Sequence, residues 1–240
     1  MKIFIPTKEE LDKQIFHCLT QYQIERGTGA QKGTTMAAFE EVVSNLLIEN
    51  GVQEEDIIIG SATVPGYFRP TKKWDLLIKK SSSKGNVLLG IIEFKSMLGS
   101  VGKNINNRVE EAVGSGYDFL KANEKLQLST TYEIFSRPFV GYVYLMGQHE
   151  DNLKGGKLSQ KYFDIDDSFI SPDGIPSNYT KRLEILAQRL VESGLYSAAS
   201  LILADSSSPL GYRNISEDLN FYSFIARLIG EIVPKYHTTN

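Results

Sequence analysis

Trp74-Asp75-Leu76-Leu77-Ile78 and Val87-Leu88-Leu89-Gly90-Ile91-Ile92-Glu93-Phe94-Lys95, parted by the turn-rich Ser81-Ser82-Ser83-Lys84-Gly85-Asn86, decide how this chain is read. Both are apolar runs of strand length bounded by turn residues, and together they predict a β-hairpin. Side chains alternate along a strand, so Glu93 and Lys95 fall on one face and Phe94 on the other, toward the core. With Lys80 opposite Leu88, Asp75 lies directly across from Glu93 on the same face; a slip of one residue would separate them. Two carboxylates and an ammonium at one end of a hairpin suit a hard divalent cation such as Mg²⁺, which takes oxygen ligands and keeps several waters. The backbone carbonyl of Phe94 is a further available ligand. Lys95 would hold or help deprotonate a water while the metal polarises a phosphate, so the expected chemistry is phosphodiester hydrolysis. An acid-x-Lys triplet alone also fits an ordinary solvated strand. The aspartate eighteen residues earlier, in a paired apolar strand with a basic segment just before it, favours the site.

On the amino-terminal side of the hairpin, residues 36–50 place Phe39, Val42, Val43, Leu46 and Leu47 at helical spacing and stop at Asn50-Gly51. Residues 56–60 read as a short strand, and residues 64–70, with Pro65-Gly66 and Arg69-Pro70, as a loop. Residues 97–107, rich in Gly, Ser and Asn, read as a loop delivering a helix over 108–123. A strand over 139–146, a helix over 178–192, a strand over 199–204 and a helix over 217–232 follow. This alternation predicts an α/β domain with a mixed sheet, one domain over residues 1–240, with a surface excursion at 150–177.

Composition narrows the function classes. Apolar residues at 41% and charged residues at 23% argue against disorder along the chain, and the one cysteine, Cys18, forms no internal disulfide. Neither a membrane-length apolar run nor a secretory signal is visible, so a cytoplasmic protein is expected. The net charge of −3 gives no bulk reason to expect nucleic acid, yet Arg69, Lys72, Lys73, Lys79, Lys80 and Lys84 stand against the single acid Asp75. That run reads either as a basic face or as a solvated, lysine-decorated hairpin. No GxSxG, GxxxxGK[ST], CxxC or HExxH motif is present. His17-Cys18 reads as a packed pair in a helix-like stretch, and Gly27, Gly29 and Gly33 as a flexible connector.

Val64-Pro-Gly-Tyr-Phe-Arg-Pro-Thr-Lys-Lys-Trp-Asp75-Leu-Leu-Ile78, Ile92-Glu-Phe-Lys-Ser96 and Gly102-Lys-Asn-Ile-Asn-Asn-Arg-Val-Glu-Glu-Ala-Val-Gly114 together resemble the signature block of the XhoI-type restriction endonucleases. The resemblance is strong over residues 64–119 and weaker over 138–143 and 179–200; the first thirty residues and 150–177 look divergent. It implies the PD-(D/E)xK restriction-endonuclease-like fold, a mixed central sheet flanked by helices. It also maps the acids onto Asp75 and Glu93 and the lysine onto Lys95. Trp74 stands where a proline often precedes the aspartate, and a proline there would supply no ligand. The family further implies a type II enzyme cutting double-stranded DNA within the palindrome CTCGAG to leave 5′ overhangs, and a companion methyltransferase protecting host DNA.

Other positions can be weighed on their own chemistry. Asn104, Asn106, Asn107 and Arg108 could read bases, since Asn pairs with adenine and Arg with guanine through two hydrogen bonds; they could equally form a capped turn. Arg69, Lys72 and Lys73 suit phosphate contacts. Glu110, Glu111, Glu40 and Glu41 read more readily as surface carboxylates than as further acids facing the metal. A palindrome predicts a homodimer, and the segment around Phe221, Tyr222, Phe224 and Ile225 would pack on the sheet or meet a partner, with packing favoured. The rival readings are a repair or recombination nuclease of the same fold and a DNA-binding module with an inactive metal site. The intact Asp75, Glu93 and Lys95 disfavour the latter.

Overall fold

The computed structural model describes residues 3–27, 36–82, 85–97, 101–126, 137–148, 153 and 162–239. At its centre β2 (Thr71–Ser82) and β3 (Gly85–Met97) form the expected antiparallel hairpin, longer at both ends than its apolar runs. With β1 (Ile57–Pro65), β4 (Phe139–Gly147), β5 (Ala198–Ala204) and β6 (Tyr212–Asn214) they make one six-stranded sheet in the order β1-β2-β3-β4-β5-β6. The β3–β4 and β4–β5 pairs are parallel and the others antiparallel, so the sheet is mixed, as expected. Parallel neighbours need a crossover. The helices α3 (Val101–Leu126) and α4 (Tyr179–Glu192) lie in the two crossover connections.

Those two helices cover one face of the sheet. There Ile105, Ala112 and Phe119 of α3 and Leu183 and Leu186 of α4 bury against Trp74, Ile91, Val140 and Tyr142. The other face is covered by α1 (Lys8–Gly27), α2 (Ala37–Glu49) and α5 (Phe221–Thr238), whose Leu11, Phe39, Val43, Phe224 and Leu228 meet Leu76, Ile92, Phe94 and Val143. Because β4 is sandwiched between the layers, every residue in it is buried, which is why it reads as a continuous apolar run. Gly141 permits this packing: a Cβ there would lie 2.9 Å from the Phe224 ring. Phe221, Phe224 and Ile225 pack under the sheet, leaving Tyr222 partly exposed.

Several boundaries differ from the sequence reading for physical reasons. The expected loop over 64–70 begins later, because Thr63, Val64 and Pro65 continue the ladder opposite Lys73, Lys72 and Thr71. The expected loop over 97–107 is cut short, because α3 starts at Val101; Val101 and Ile105 lie one turn apart, both buried, and anchor a first turn of low helix propensity. The helix expected from 217 starts at Phe221, where the Asn220 side chain accepts the Ser223 amide at 2.7 Å. The helix-like stretch read around His17-Cys18 is part of the longer α1, whereas β6 was not expected as an element. The excursion at 150–177 is described only at 153 and 162–177. There it holds a one-turn helix, Asp167–Phe169, and a bridge between Ile170 and Pro176. No helix among the described residues is long and apolar enough to cross a membrane.

Candidate active site

The hairpin carries a bulge. Lys80 faces Val87, not Leu88, and Lys79 faces Leu88; the register then shifts, leaving Leu89 as the extra residue, so that Leu77 faces Ile91 and Leu76 faces Ile92. The paired register ends at Leu76–Ile92, one residue short of Asp75 and Glu93. There the backbone ladder gives way to a side chain, and the Phe94 amide donates to Asp75 Oδ2 at 2.7 Å. Phe94 itself points into the core. Lys95 gathers the two acids: its Nζ lies 2.7 Å from Glu93 Oε1 and 3.9 Å from Asp75 Oδ2. The Glu93 side chain is 8% exposed and that of Asp75 33%, so the site opens on the aspartate side.

A second lysine reaches Glu93 from β2. Lys72 Nζ lies 3.0 Å from Oε2 and forms a second ion pair with this carboxylate. Burial pushes the Glu93 carboxyl up, but Lys95 and then Lys72 outweigh it and hold the group below the usual carboxylate range. From the other side of the sheet α2 supplies an acid that the sequence reading favoured as a surface group. Glu40 is buried, unlike the exposed Glu41, and burial first and the Asp75 charge second push it up to about 7. Lys73 and Lys95 pull it the other way. The missed signal was spacing: positions 40, 43, 44 and 47 form one buried stripe along α2.

The donor set fits a hard divalent cation. Its donors are the carboxylate oxygens of Asp75 and Glu93, both drawn to within 3.9 Å of Lys95 Nζ. Among the described residues no group of three or more His, Cys, Asp or Glu side chains is arranged to hold a metal by itself. Mg²⁺ does not need one, because it keeps waters and takes phosphate oxygens.

The remaining expected residues are dispersed. Arg69 Nε donates to the buried Asp118 at 2.7 Å; Asp118 also accepts the amides of Tyr67 and Phe68, clamping the β1–β2 loop. Lys79 pairs with the buried Asp56 at 2.8 Å, and Lys80 lies 4.0 Å from the Tyr236 ring centroid. The basic run is therefore not one continuous face: Lys73 is exposed, Lys72 is largely buried, and Lys84 lies outside the described residues. Asn104, Asn106, Asn107 and Arg108 sit on the first two turns of α3 instead of on a loop. Asn106 accepts from Arg182 at 2.8 Å, Arg108 pairs with Glu111, Asn104 is half-buried and Asn107 is exposed. Glu110 and Glu111 are exposed. Cys18 is buried, and burial pushes its thiol up to about 12, as suits a packed, unreactive cysteine.

A mixed sheet between helical layers, with two acids and a lysine where its central hairpin parts, is a restriction-endonuclease-like nuclease architecture. Residues 19–213 match the family model described as restriction endonuclease XhoI. The chain is 31% identical over 209 residues to the type II restriction enzyme BstVI of Geobacillus stearothermophilus, covering 85% of this chain and 89% of the relative. It is 29% identical over 196 residues to the type II restriction enzyme XhoI of Xanthomonas vasicola, with 78% and 74% covered. To the type II restriction enzyme AbrI of Azospirillum brasilense it is 39% identical over 114 residues, 46% of this chain and 48% of the relative. No solved structure is a significant match. The chain belongs to the XhoI family of type II restriction endonucleases.

Proposed function

We propose that this chain is a Mg²⁺-dependent type II restriction endonuclease that hydrolyses double-stranded DNA within CTCGAG and leaves 5′ overhangs. The observation that carries the reading is the convergence of Asp75 and Glu93 on Lys95 where β2 and β3 part. Asp75, Glu93 and the Phe94 carbonyl would hold the cation, which when bound supplies Lewis acidity toward the scissile phosphate. Glu93 arrives ionised, because two ammoniums offset its burial. Asp75 is fixed by the Phe94 amide through Oδ2, and its side chain is the more exposed of the two acids. Lys95 donates a hydrogen bond to the attacking water and favours the negative charge that grows on it as its proton leaves to solvent.

One such set holds one scissile phosphate, and a palindrome has two-fold symmetry. The economical enzyme is therefore a homodimer whose subunits each cut one strand. Exposed Lys73 and the outer side of Arg69 are the better-placed phosphate contacts, and Asn107 the better-placed base reader, because Asn106 and Arg108 already have partners within the fold. A methyltransferase of the same specificity would protect the DNA of the cell, in whose cytoplasm the enzyme works. The test is digestion of one mapped plasmid with Mg²⁺, followed by sequencing of the ends. Ends at CTCGAG with 5′ extensions are expected; ends scattered over unrelated sequence would refute site-specific cleavage.

A further inference from the structure

A phosphate-binding lysine needs an ammonium that solvent can reach. Lys72 does not offer one. Its side chain is 11% exposed, and Nζ lies 3.0 Å from Glu93 Oε2 and donates to the Lys73 carbonyl at 3.2 Å. The same ammonium stands 4.3 Å from the ring centroid of Trp74, within cation–π range. Trp74 is 1% exposed and packs edge-on against Phe119 of α3, with centroids 6.0 Å apart. Lys72 is thus held by a charge on one side and by an immobilised π face on the other. The buried carboxylate it touches is the more enclosed of the two acids.

We propose that Lys72 is a positioning residue that acts through Glu93: seated on Trp74, it fixes the Oε2 side of the carboxylate while Lys95 fixes the Oε1 side. The inference rests on the nuclease reading for what Glu93 does, and on the geometry alone for the contact. A carboxylate gripped from both oxygens by ammoniums on two different strands cannot swing about its last torsion without breaking one ion pair. Its orientation toward a ligand is therefore set before that ligand arrives. Partners of this kind, behind a metal-binding side chain, typically change affinity or activity by about 10–100-fold when removed.

The test uses Lys72→Met, which keeps the apolar stem on Trp74 and removes the charge, with Lys72→Arg as the conservative variant and circular dichroism to establish folding. Single-turnover cleavage of a duplex carrying the site should slow by about 10–100-fold in Lys72→Met and recover in part in Lys72→Arg. The Kd for that duplex, measured in EDTA so that no cation links binding to Glu93, and its salt slope should stay as in wild type. A slope lower by about one, with the bound complex cutting at the wild-type rate, would make Lys72 a phosphate contact and overturn the proposal. A second readout needs neither metal nor DNA, because Trp74 is the one tryptophan of the chain. Lys72→Met and Glu93→Gln should each change its emission, and the double variant should fall short of the sum of the two effects. Emission unchanged in Glu93→Gln, or strictly additive effects, would overturn the contact. Wild-type protein unable to cut with Mg²⁺ would defeat the nuclease reading instead, and the emission cycle would still decide the Lys72–Glu93 pair.

Discussion

Replacing Glu40 by Gln in metal-free protein is expected to flatten the pH dependence of stability between pH 5 and 8. Glu40 is 8% exposed, and burial first and the Asp75 carboxylate second push it up to about 7 from its ordinary 4.5. The folded chain then holds this proton more tightly than the unfolded chain. Its contribution to stability is complete below pH 4.5 and is lost as the pH rises through about 7. The gap between the two values corresponds to about 3 kcal/mol, of which about 2 kcal/mol disappears between pH 5 and 8. For a chain of this length, that loss lowers Tm by roughly 4–8 °C. Glutamine keeps the shape and cannot ionise, so thermal unfolding in EDTA at several pH values should show the wild type losing this much relative to Glu40→Gln. Two stability curves that run parallel from pH 5 to 8 would refute a buried Glu40 that holds its proton under the influence of the Asp75 charge.

Asp118→Ala removes the acceptor of the Tyr67 and Phe68 amides and of Arg69 and should cost about 2–4 kcal/mol; urea unfolding measures it, and faster amide exchange at Tyr67 and Phe68 should accompany it. Lys73→Ala should weaken binding to all duplexes and lower the salt slope by about one, whereas Asn107→Ala should reduce preference for the correct site by about 1–3 kcal/mol, both measured by titration in Ca²⁺. Mixed dimers of wild-type and Lys95→Ala subunits should produce mainly nicked circles from a one-site plasmid, and full linearisation within a single binding event would refute one active site per strand.

The hairpin was legible in the sequence because its signals are local: two apolar runs, a turn between them, and alternation that separates Glu93 and Lys95 from Phe94. Asp75 and Glu93 both approach Lys95 although the hairpin register differs from the expected one. Lys80 does not face Leu88, and the bulge at Leu89 restores the register before the acids are reached. Alternation alone cannot reveal a bulge, because the extra residue is apolar like its neighbours. The start of α3 was hidden by Gly102, Asn104, Asn106 and Asn107, whose low propensity is overridden by burial of Val101 and Ile105. Gly102 also lets α3 approach α4, since a Cβ there would lie 2.6 Å from the Tyr179 hydroxyl. Charge was the least legible layer. Lys72, Lys79 and Arg69 look alike in sequence, but their partners Glu93, Asp56 and Asp118 lie 21, 23 and 49 residues away, so only the fold separates a solvated cation from an engaged one.

Whether Asp75, Glu93 and Lys95 form the hydrolytic site is decided by the single-turnover cleavage rate of Asp75→Ala, Glu93→Ala and Lys95→Ala in Mg²⁺ under saturating enzyme. Each variant should bind the duplex and keep its fold, yet cut at least roughly a thousandfold more slowly, the equivalent of about 4 kcal/mol of transition-state stabilisation. Cutting at close to the wild-type rate by any one of the three would contradict its place in the site.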